Sequence, residues 1–261
     1  MLARQDIIDW GARLFGAPAR SRLRCGHLLV EFSRGENEVC LASKRLSDEE
    51  ADASLDRDEP VSWTSWAVCT GAKGVKVLPG LPDLPVLARQ NPPFFLAPGE
   101  ETRVYLRIPV SVQVCLGERD DELLAEFPSE TMPRVWFGEA PASEECYQLG
   151  AASSRAIFTD LEGSEVQAPV LIRNESREVL EVTQICLRVA RLSVYRLGST
   201  LWTNETIARY QGGMNPSRLS IKNGPPLEAP HAKLLAPPRA TGPETIVGRT
   251  FRSFRRWAEW R

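Results

Sequence analysis

Apolar and polar residues alternate along much of this chain. In TRVYLRIPVSVQVCL, Val104, Leu106, Ile108, Val110, Val112 and Val114 are apolar, and Tyr105, Arg107, Pro109, Ser111 and Gln113 separate them. A strict period of two predicts a strand with one face buried and one wet. Pro109 lacks a backbone donor, which predicts a sheet edge or a bend at that point. HLLVEFSRGENEVCLA reads as a hairpin, with Leu28, Val30 and Phe32 before the turn Arg34-Gly-Glu-Asn37 and Val39 and Leu41 after it. WTSWAVCT, from Trp63, is a further strand. Val170 and Ile172 lead into a polar turn at 174–178. Leu180 and Val182 resume, and the apolar parity then shifts to Ile185, Leu187 and Val189, which predicts a bulge. LSVYRLGSTLWTNETIARY forms one more hairpin around Gly198.

Helical period is confined to the two ends. Ile7, Trp10 and Leu14 fall at i, i+3 and i+7 and predict a short amphipathic helix over 4–15. The stretch ETIVGRTFRSFRRWAEWR predicts a second. On a helical wheel Ile246, Val247, Phe251, Phe254, Trp257 and Ala258 share one side, and Arg249, Arg252, Arg255 and Arg256 the other. The proline-rich run 79–98 is expected to be a loop or an edge segment, and the Gly- and Pro-rich run 211–242 a loop or tether. Short strands punctuated by turns predict a mainly β chain: one or two antiparallel β-sandwich (Ig-like) domains with short N-terminal and C-terminal helices. The expected divisions are a helix at 1–20, a β-sandwich half or domain at 21–130, a second at 131–242, and a basic amphipathic helix at 243–261. Strands do not alternate with long helices, so a Rossmann-type or TIM-type reading is disfavoured.

Composition adds a charge asymmetry. The 261 residues carry 32 Lys+Arg and 34 Asp+Glu. From Arg191 onward there are twelve basic residues against four acidic ones. A basic final quarter on an acidic body suits an acidic partner (a membrane surface, a nucleic acid or another protein), or pairing within the chain. The seven acids between Ser47 and Glu59 lack the Gly and Glu offsets of a calcium loop and read as an acidic surface loop. No signal peptide and no apolar run of membrane-spanning length is present, so the expected location is cytoplasmic, or peripheral to the inner face of the membrane. Six scattered cysteines without a CxxC fit a reducing compartment. The Asn174-Glu-Ser and Asn204-Glu-Thr matches to the glycosylation pattern are read as chance.

Catalytic motifs are sparse. Only His27 and His231 are available as imidazoles, and neither sits in a recognised Ser-His-Asp, Cys-His or metal-binding pattern. TGAKGVK lacks the phosphate-loop spacing. Glu139, Glu144 and Glu145 lie near Trp136, Phe137 and Tyr147; this suits a carbohydrate site, or a surface loop beside core aromatics. No cofactor or metal is expected.

The segments LAPGEETRVYLRIPVSVQV, ETMPRVWFGE, EECYQLG and PVLIRNESREVLEVTQICLRVARLSVYRLGSTLWTNETIARYQGG resemble an uncharacterised prokaryotic family, domain of unknown function 432, over residues 24–239. Trp136-Phe-Gly138, Cys146-Tyr147 and Leu201-Trp202-Thr203 are the distinctive parts. The resemblance implies no known activity and no catalytic residues. It also implies genomic neighbours that are small mechanosensitive-type channels. The tail lies outside it.

The functional expectation is therefore a non-enzymatic binding or accessory protein. Its tail docks on a partner protein, such as a membrane channel, or on an anionic membrane. Phe251, Phe254, Trp257 and Trp260 insert, and Arg249, Arg252, Arg255 and Arg256 supply attraction. The same tail pattern suits a helix folded back over its own sheet. The alternatives are a carbohydrate-active or other hydrolytic enzyme using carboxylates, and, less favoured, a nucleic-acid-binding protein.

Overall fold

The computed structural model describes residues 9–11, 13–14, 19–35, 37–47, 62–68, 75–116, 122–138, 143–150, 153–161, 163–212, 217–241 and 245–248. It is mainly β, with several antiparallel sheets. The strands, in chain order, are β1 (Arg13–Leu14), β2 (Ala19–Cys25), β3 (Leu28–Arg34), β4 (Glu38–Arg45), β5 (Thr64–Ala67), β6 (Val75–Gly80), β7 (Val86–Leu96), β8 (Glu101–Pro109), β9 (Ser111–Leu116), β10 (Glu122–Pro128) and β11 (Arg134–Phe137). They continue as β12 (Glu144–Gln148), β13 (Ser153–Ser154), β14 (Glu165–Asn174), β15 (Leu180–Leu187), β16 (Val194–Leu197), β17 (Thr200–Thr203), β18 (Thr206–Tyr210), β19 (Ser217–Ile221), β20 (Lys233–Ala236) and β21 (Thr245–Gly248). Among the described residues the one helical element is a 3-10 turn, Val189–Arg191.

The chain folds into two compact units and passes between them more than once. One comprises residues 1–80, 109–131 and 162–165; the other comprises 81–108, 132–161 and 166–261. The long alternating segment is divided at the expected place. Its even positions are buried as predicted, and Pro109 ends β8 where the chain leaves one unit for the other.

The first unit holds two four-stranded antiparallel sheets, β1-β6-β9-β10 and β2-β3-β4-β5. The predicted hairpin is β3–β4. All five residues from Leu28 to Phe32 are buried, so β3 is covered on both faces. Glu31 accordingly needs a cation, and Arg22 Nε donates to it at 2.6 Å. Trp10 is buried and its indole N–H donates to the Gly163 carbonyl at 2.9 Å. Arg45 donates to the carbonyls of Pro128 and Ser129 at 3.0 and 3.1 Å, which ties β4 to the end of β10.

The second unit holds a four-stranded sheet, β11-β12-β7-β15, and a nine-stranded sheet. The main path of the larger sheet is β20-β16-β17-β14-β18-β19-β21, with β8 and β13 beside it. β17 and β18 follow one another along β14, both parallel to it. Val166 pairs with Leu201 and Val170 with Thr206, so the β17–β18 side carries one more residue than β14. This bulge falls at Asn204–Glu205, between the two strands.

Several expectations are corrected. Arg13–Leu14 is a strand paired with β6, and Trp10–Gly11 is a turn, so this part of the chain is not helical; residues 4–8 lie outside the described ones. The proline-rich run contains β7, which is an interior strand between β12 and β15. It tolerates proline because Pro92 and Pro93 sit in an excursion from the ladder. The pairing with β15 passes from Arg89↔Gln184 directly to Phe94↔Val182, so residues 90–93 need no cross-strand partner. The run 211–242 contains β19 and β20. Thr245–Gly248 is a strand paired with β19, so a helix does not start at 243, and Ile246 and Val247 belong to a sheet.

Candidate functional site

The chemistry-bearing residues of the second unit gather at the bulge. β8 places Arg103 and Tyr105 on one side of the strand. The bulge carries Glu205, Lys222 follows β19, and Glu228 lies between β19 and β20. The Glu205 side chain is 1% exposed. Arg103 Nε donates to its Oε1 at 3.0 Å, with a second guanidinium nitrogen on the same oxygen, and Lys222 Nζ pairs with Oε2. The Lys222 amide also donates to the Glu205 carbonyl at 2.9 Å. Arg103 reaches Glu228 Oε1 at 3.4 Å, and Tyr105 donates its hydroxyl to the same oxygen at 2.7 Å.

Two carboxylates thus face two cations. Burial raises the Glu205 carboxyl, but Lys222 and Arg103 outweigh it and hold it below the usual carboxylate range. Burial, together with Glu228 as hydrogen-bond acceptor, pushes the Tyr105 hydroxyl up to about 12. A general acid at neutral pH needs a raised carboxyl, the opposite of Glu205. The arrangement pins the bulge to β8 and to the segment after β19. Next to it Tyr105, Tyr195, Trp202, Ala229 and Ala232 form a buried cluster against which Phe158 packs. The Gln167 amide bonds both backbone groups of Phe158, at 2.9 and 3.0 Å. Arg107 lies 4.7 Å from the Phe158 ring centroid and pairs with Asp160 at 2.5 Å.

A second constellation lies on β11 and β12. Trp136 is 70% exposed and stands opposite Glu145. Arg134 stands opposite Tyr147, 5.8 Å from its ring, and pairs with Glu145 at 3.4 Å. The Tyr147 hydroxyl donates to Asp83 at 3.2 Å. On the buried side Phe137 and Cys146 pack with Leu87 and Cys186, and Val135 packs against them. The Cys146 and Cys186 sulfurs are 3.7 Å apart. Glu144 is not part of the aromatic face. It accepts from Arg188 and lies 3.8 Å from Cys186 Sγ. Its hydrogen bond with Cys146 and burial push the Cys186 thiol far up. The expected grouping of Glu144 and Glu145 with the aromatics is therefore divided, because neighbouring strand residues point to opposite faces. Glu139 lies outside the described residues.

All the tail residues expected to bind, Arg249, Phe251, Arg252, Phe254, Arg255, Arg256, Trp257 and Trp260, also lie outside the described residues. His27 is exposed in the turn between β2 and β3, and His231 is exposed between β19 and β20. Among the described residues no three His, Cys, Asp or Glu side chains are placed to hold a metal, and no helix is long and apolar enough to cross a membrane. Sequence reading missed Arg103, Glu205 and Lys222. The signal was a single acid, Glu205, inside the strand pattern TLWTNETIARY. Asn174 and Asn204 are buried and hydrogen-bonded, so neither side chain is presented for glycosylation in the folded protein.

Comparison with curated proteins and with solved structures gives no match. The profile of one family does match, over residues 10–255. This span is wider than the resemblance read from the sequence. It takes in β21 and the tail as far as Arg255, so Arg249, Phe251, Arg252, Phe254 and Arg255 fall inside it. The chain belongs to the family described as Protein of unknown function (DUF432).

Proposed function

We propose that this is a non-enzymatic binding or accessory protein of β-sandwich architecture, peripheral to the cytoplasmic face of a membrane. Its basic aromatic tail docks on an anionic membrane or on a membrane protein there. The observation that carries this reading is β21. Strand Thr245–Gly248 pairs with β19, so the chain is held to a sheet up to Gly248 and the basic aromatic residues follow directly. Phe251, Phe254, Trp257 and Trp260 supply apolar surface. Arg249, Arg252, Arg255 and Arg256 add attraction of about 1 kcal/mol each near an anionic surface. The Glu205 network supports the same reading over hydrolysis by carboxylates, since its one fully buried carboxyl is held ionised by two cations.

The test is flotation with vesicles of phosphatidylcholine and phosphatidylserine, against vesicles of phosphatidylcholine alone. The full chain is compared with a variant carrying Arg249→Glu, Arg252→Glu, Arg255→Glu and Arg256→Glu. A truncation must fall after Gly248, because an earlier one removes β21. Flotation of the full chain alone, on anionic vesicles alone, is expected. Failure of the full chain to float at low salt refutes membrane docking and leaves a protein partner. Equal flotation of both proteins refutes the role of the arginines.

A further inference from the structure

We propose that β11 is a homotypic pairing edge, and that a second copy of this chain docks on it antiparallel through a twofold axis at Val135. β11 is the terminal strand of its sheet. Gln148 N–H donates to the Pro133 carbonyl at 2.8 Å, and Tyr147 N–H donates away from β11, to Pro85 at 2.8 Å. Backbone groups alternate in direction along a strand. Val135 and Phe137 therefore turn their backbone groups toward β12, and Arg134 and Trp136 turn theirs outward. Among the described residues no strand covers that edge. The two residues with outward backbone groups are also the two with the most exposed side chains on the strand, at 61% for the Arg134 side chain and 70% for Trp136.

The occupant follows from register. An antiparallel partner must pair outward residues with outward residues. For a second copy, placing Arg134 opposite Arg134 sets like charges together and pairs Trp136 with Met132, outside the strand. Placing Trp136 opposite Trp136 pairs Arg134 with Gly138, whose φ of 102° leaves the extended region. The register centred on Val135 remains. It pairs Arg134 with Trp136 of the second copy, twice, using all four open N–H and C=O groups. Each Arg then faces a Trp across the new strand pair, within reach of a cation–π contact. Each row across the four strands reads Tyr147, Arg134, then Trp136 and Glu145 of the second copy, so every cation has an aromatic on each side. On the other face the two Val135 side chains meet beside the Phe137–Cys146 cluster. Four residues per strand give a small interface, so the dimer is weak and depends on concentration.

The experiment uses the full chain over roughly 5–500 µM, the range in which small interfaces assemble. Sedimentation equilibrium gives the mass, and amide hydrogen exchange reads the edge residue by residue. A monomer–dimer equilibrium is expected. The amides of Arg134 and Trp136 slow as dimer forms, and those of Val135 and Phe137 are protected throughout. Arg134→Glu removes both Arg–Trp contacts and raises the dissociation constant about 10- to 100-fold. Trp136→Phe keeps the dimer. A monomer at the highest concentration overturns the proposal. So does a dimer in which the Arg134 and Trp136 amides exchange as fast as in the monomer, because the second copy then sits elsewhere. The exchange measurement needs no variant, so the test survives a substitution that fails to fold.

Discussion

Replacing Glu205 by Gln tests the reading of the buried network most directly. The substitution keeps the shape of the side chain and removes its charge. Its two cations are then left without their main counter-ion, Arg103 at 29% exposure and Lys222 at 46%. Removing one partner of a fully buried pair costs about 3–5 kcal/mol. Here both cations reach solvent in part, so the expected loss is about 3 kcal/mol, the lower end of that range. Lys222→Ala removes the more exposed cation but leaves the buried Oε2 of Glu205 without its partner, and costs about 1–3 kcal/mol. The assay is urea denaturation followed by the fluorescence of the tryptophans, which include Trp202 in the neighbouring cluster. Urea is used because a salt denaturant screens the charges under test. The pH dependence gives a second reading. The folded Glu205 carboxyl is held below its unfolded value of about 4.3. Its contribution is therefore complete above that value and is lost as pH falls through the lower, folded one. The gap between wild type and Glu205→Gln stays constant from neutral to alkaline pH and closes only in acid. A Glu205→Gln protein within about 0.5 kcal/mol of wild type at pH 7, less than a single ordinary hydrogen bond, refutes the claim that this network holds the bulge.

Two further outcomes follow from the same structure. Asn174 donates to the carbonyls of Leu96 and Glu178 at 2.9 and 2.8 Å and accepts from the amide and hydroxyl of Ser176 at 3.1 and 2.7 Å, so Asn174→Ala should destabilise by about 2–4 kcal/mol in the urea assay, and a loss below about 1 kcal/mol refutes its role in holding the turn after β14. Burial pushes the Cys25 thiol up to about 12, against a smaller lowering by Ser129, and leaves about one thiolate in ten thousand at pH 8. In native alkylation followed by peptide mass spectrometry, half-buried Cys40 should therefore react well before Cys25; equal rates refute it.

Strands were legible where apolar residues alternate with other types along the chain. The apolar positions of β3, β4, β8, β9, β14 and β15 recur at period two whether or not the other face is wet, since β3, β9 and β14 are covered on both faces, and the parity change after Val182 marks the bulge that the register shows. The described parts of the two predicted end helices, Trp10–Gly11, Arg13–Leu14 and Thr245–Gly248, were misread for a physical reason. Three apolar residues at helical spacing, Ile7, Trp10 and Leu14, say only that those side chains are apolar, and Trp10 is buried through a turn and a long-range bond to Gly163 instead. Ile246 and Val247 fit a helical stripe equally well, but they are β-branched and lie in β21. β7 was hidden because its prolines suggest a loop, and the four-residue excursion that absorbs them cannot be seen without its partner strand. Sequence also drew attention to Trp136 and Tyr147 but not to Arg134 beside them, because cross-strand neighbours depend on register.

Register also explains why a strand pair would carry a buried carboxylate. β17 and β18 run parallel to β14, and Leu201, Ile207 and Ala208 are buried with Val166, Val170 and Ile172. Such small and medium apolar side chains pack acceptably in more than one register, since shape alone separates the alternatives by little. A carboxylate does not. Shifted by one residue, Glu205 would turn to the other face and leave Arg103 and Lys222 behind, at the cost of an unpaired buried charge. We read the network as a lock on the position of the bulge: it gives less net stability than an apolar core of the same volume, and it penalises every other pairing. Loss of the lock has a signature distinct from lost stability. In Glu205→Gln the amides of β17 and β18 should exchange faster than those of β15, even under conditions where the variant is fully folded. Uniform acceleration across both sheets would mean that Glu205 contributes only to global stability.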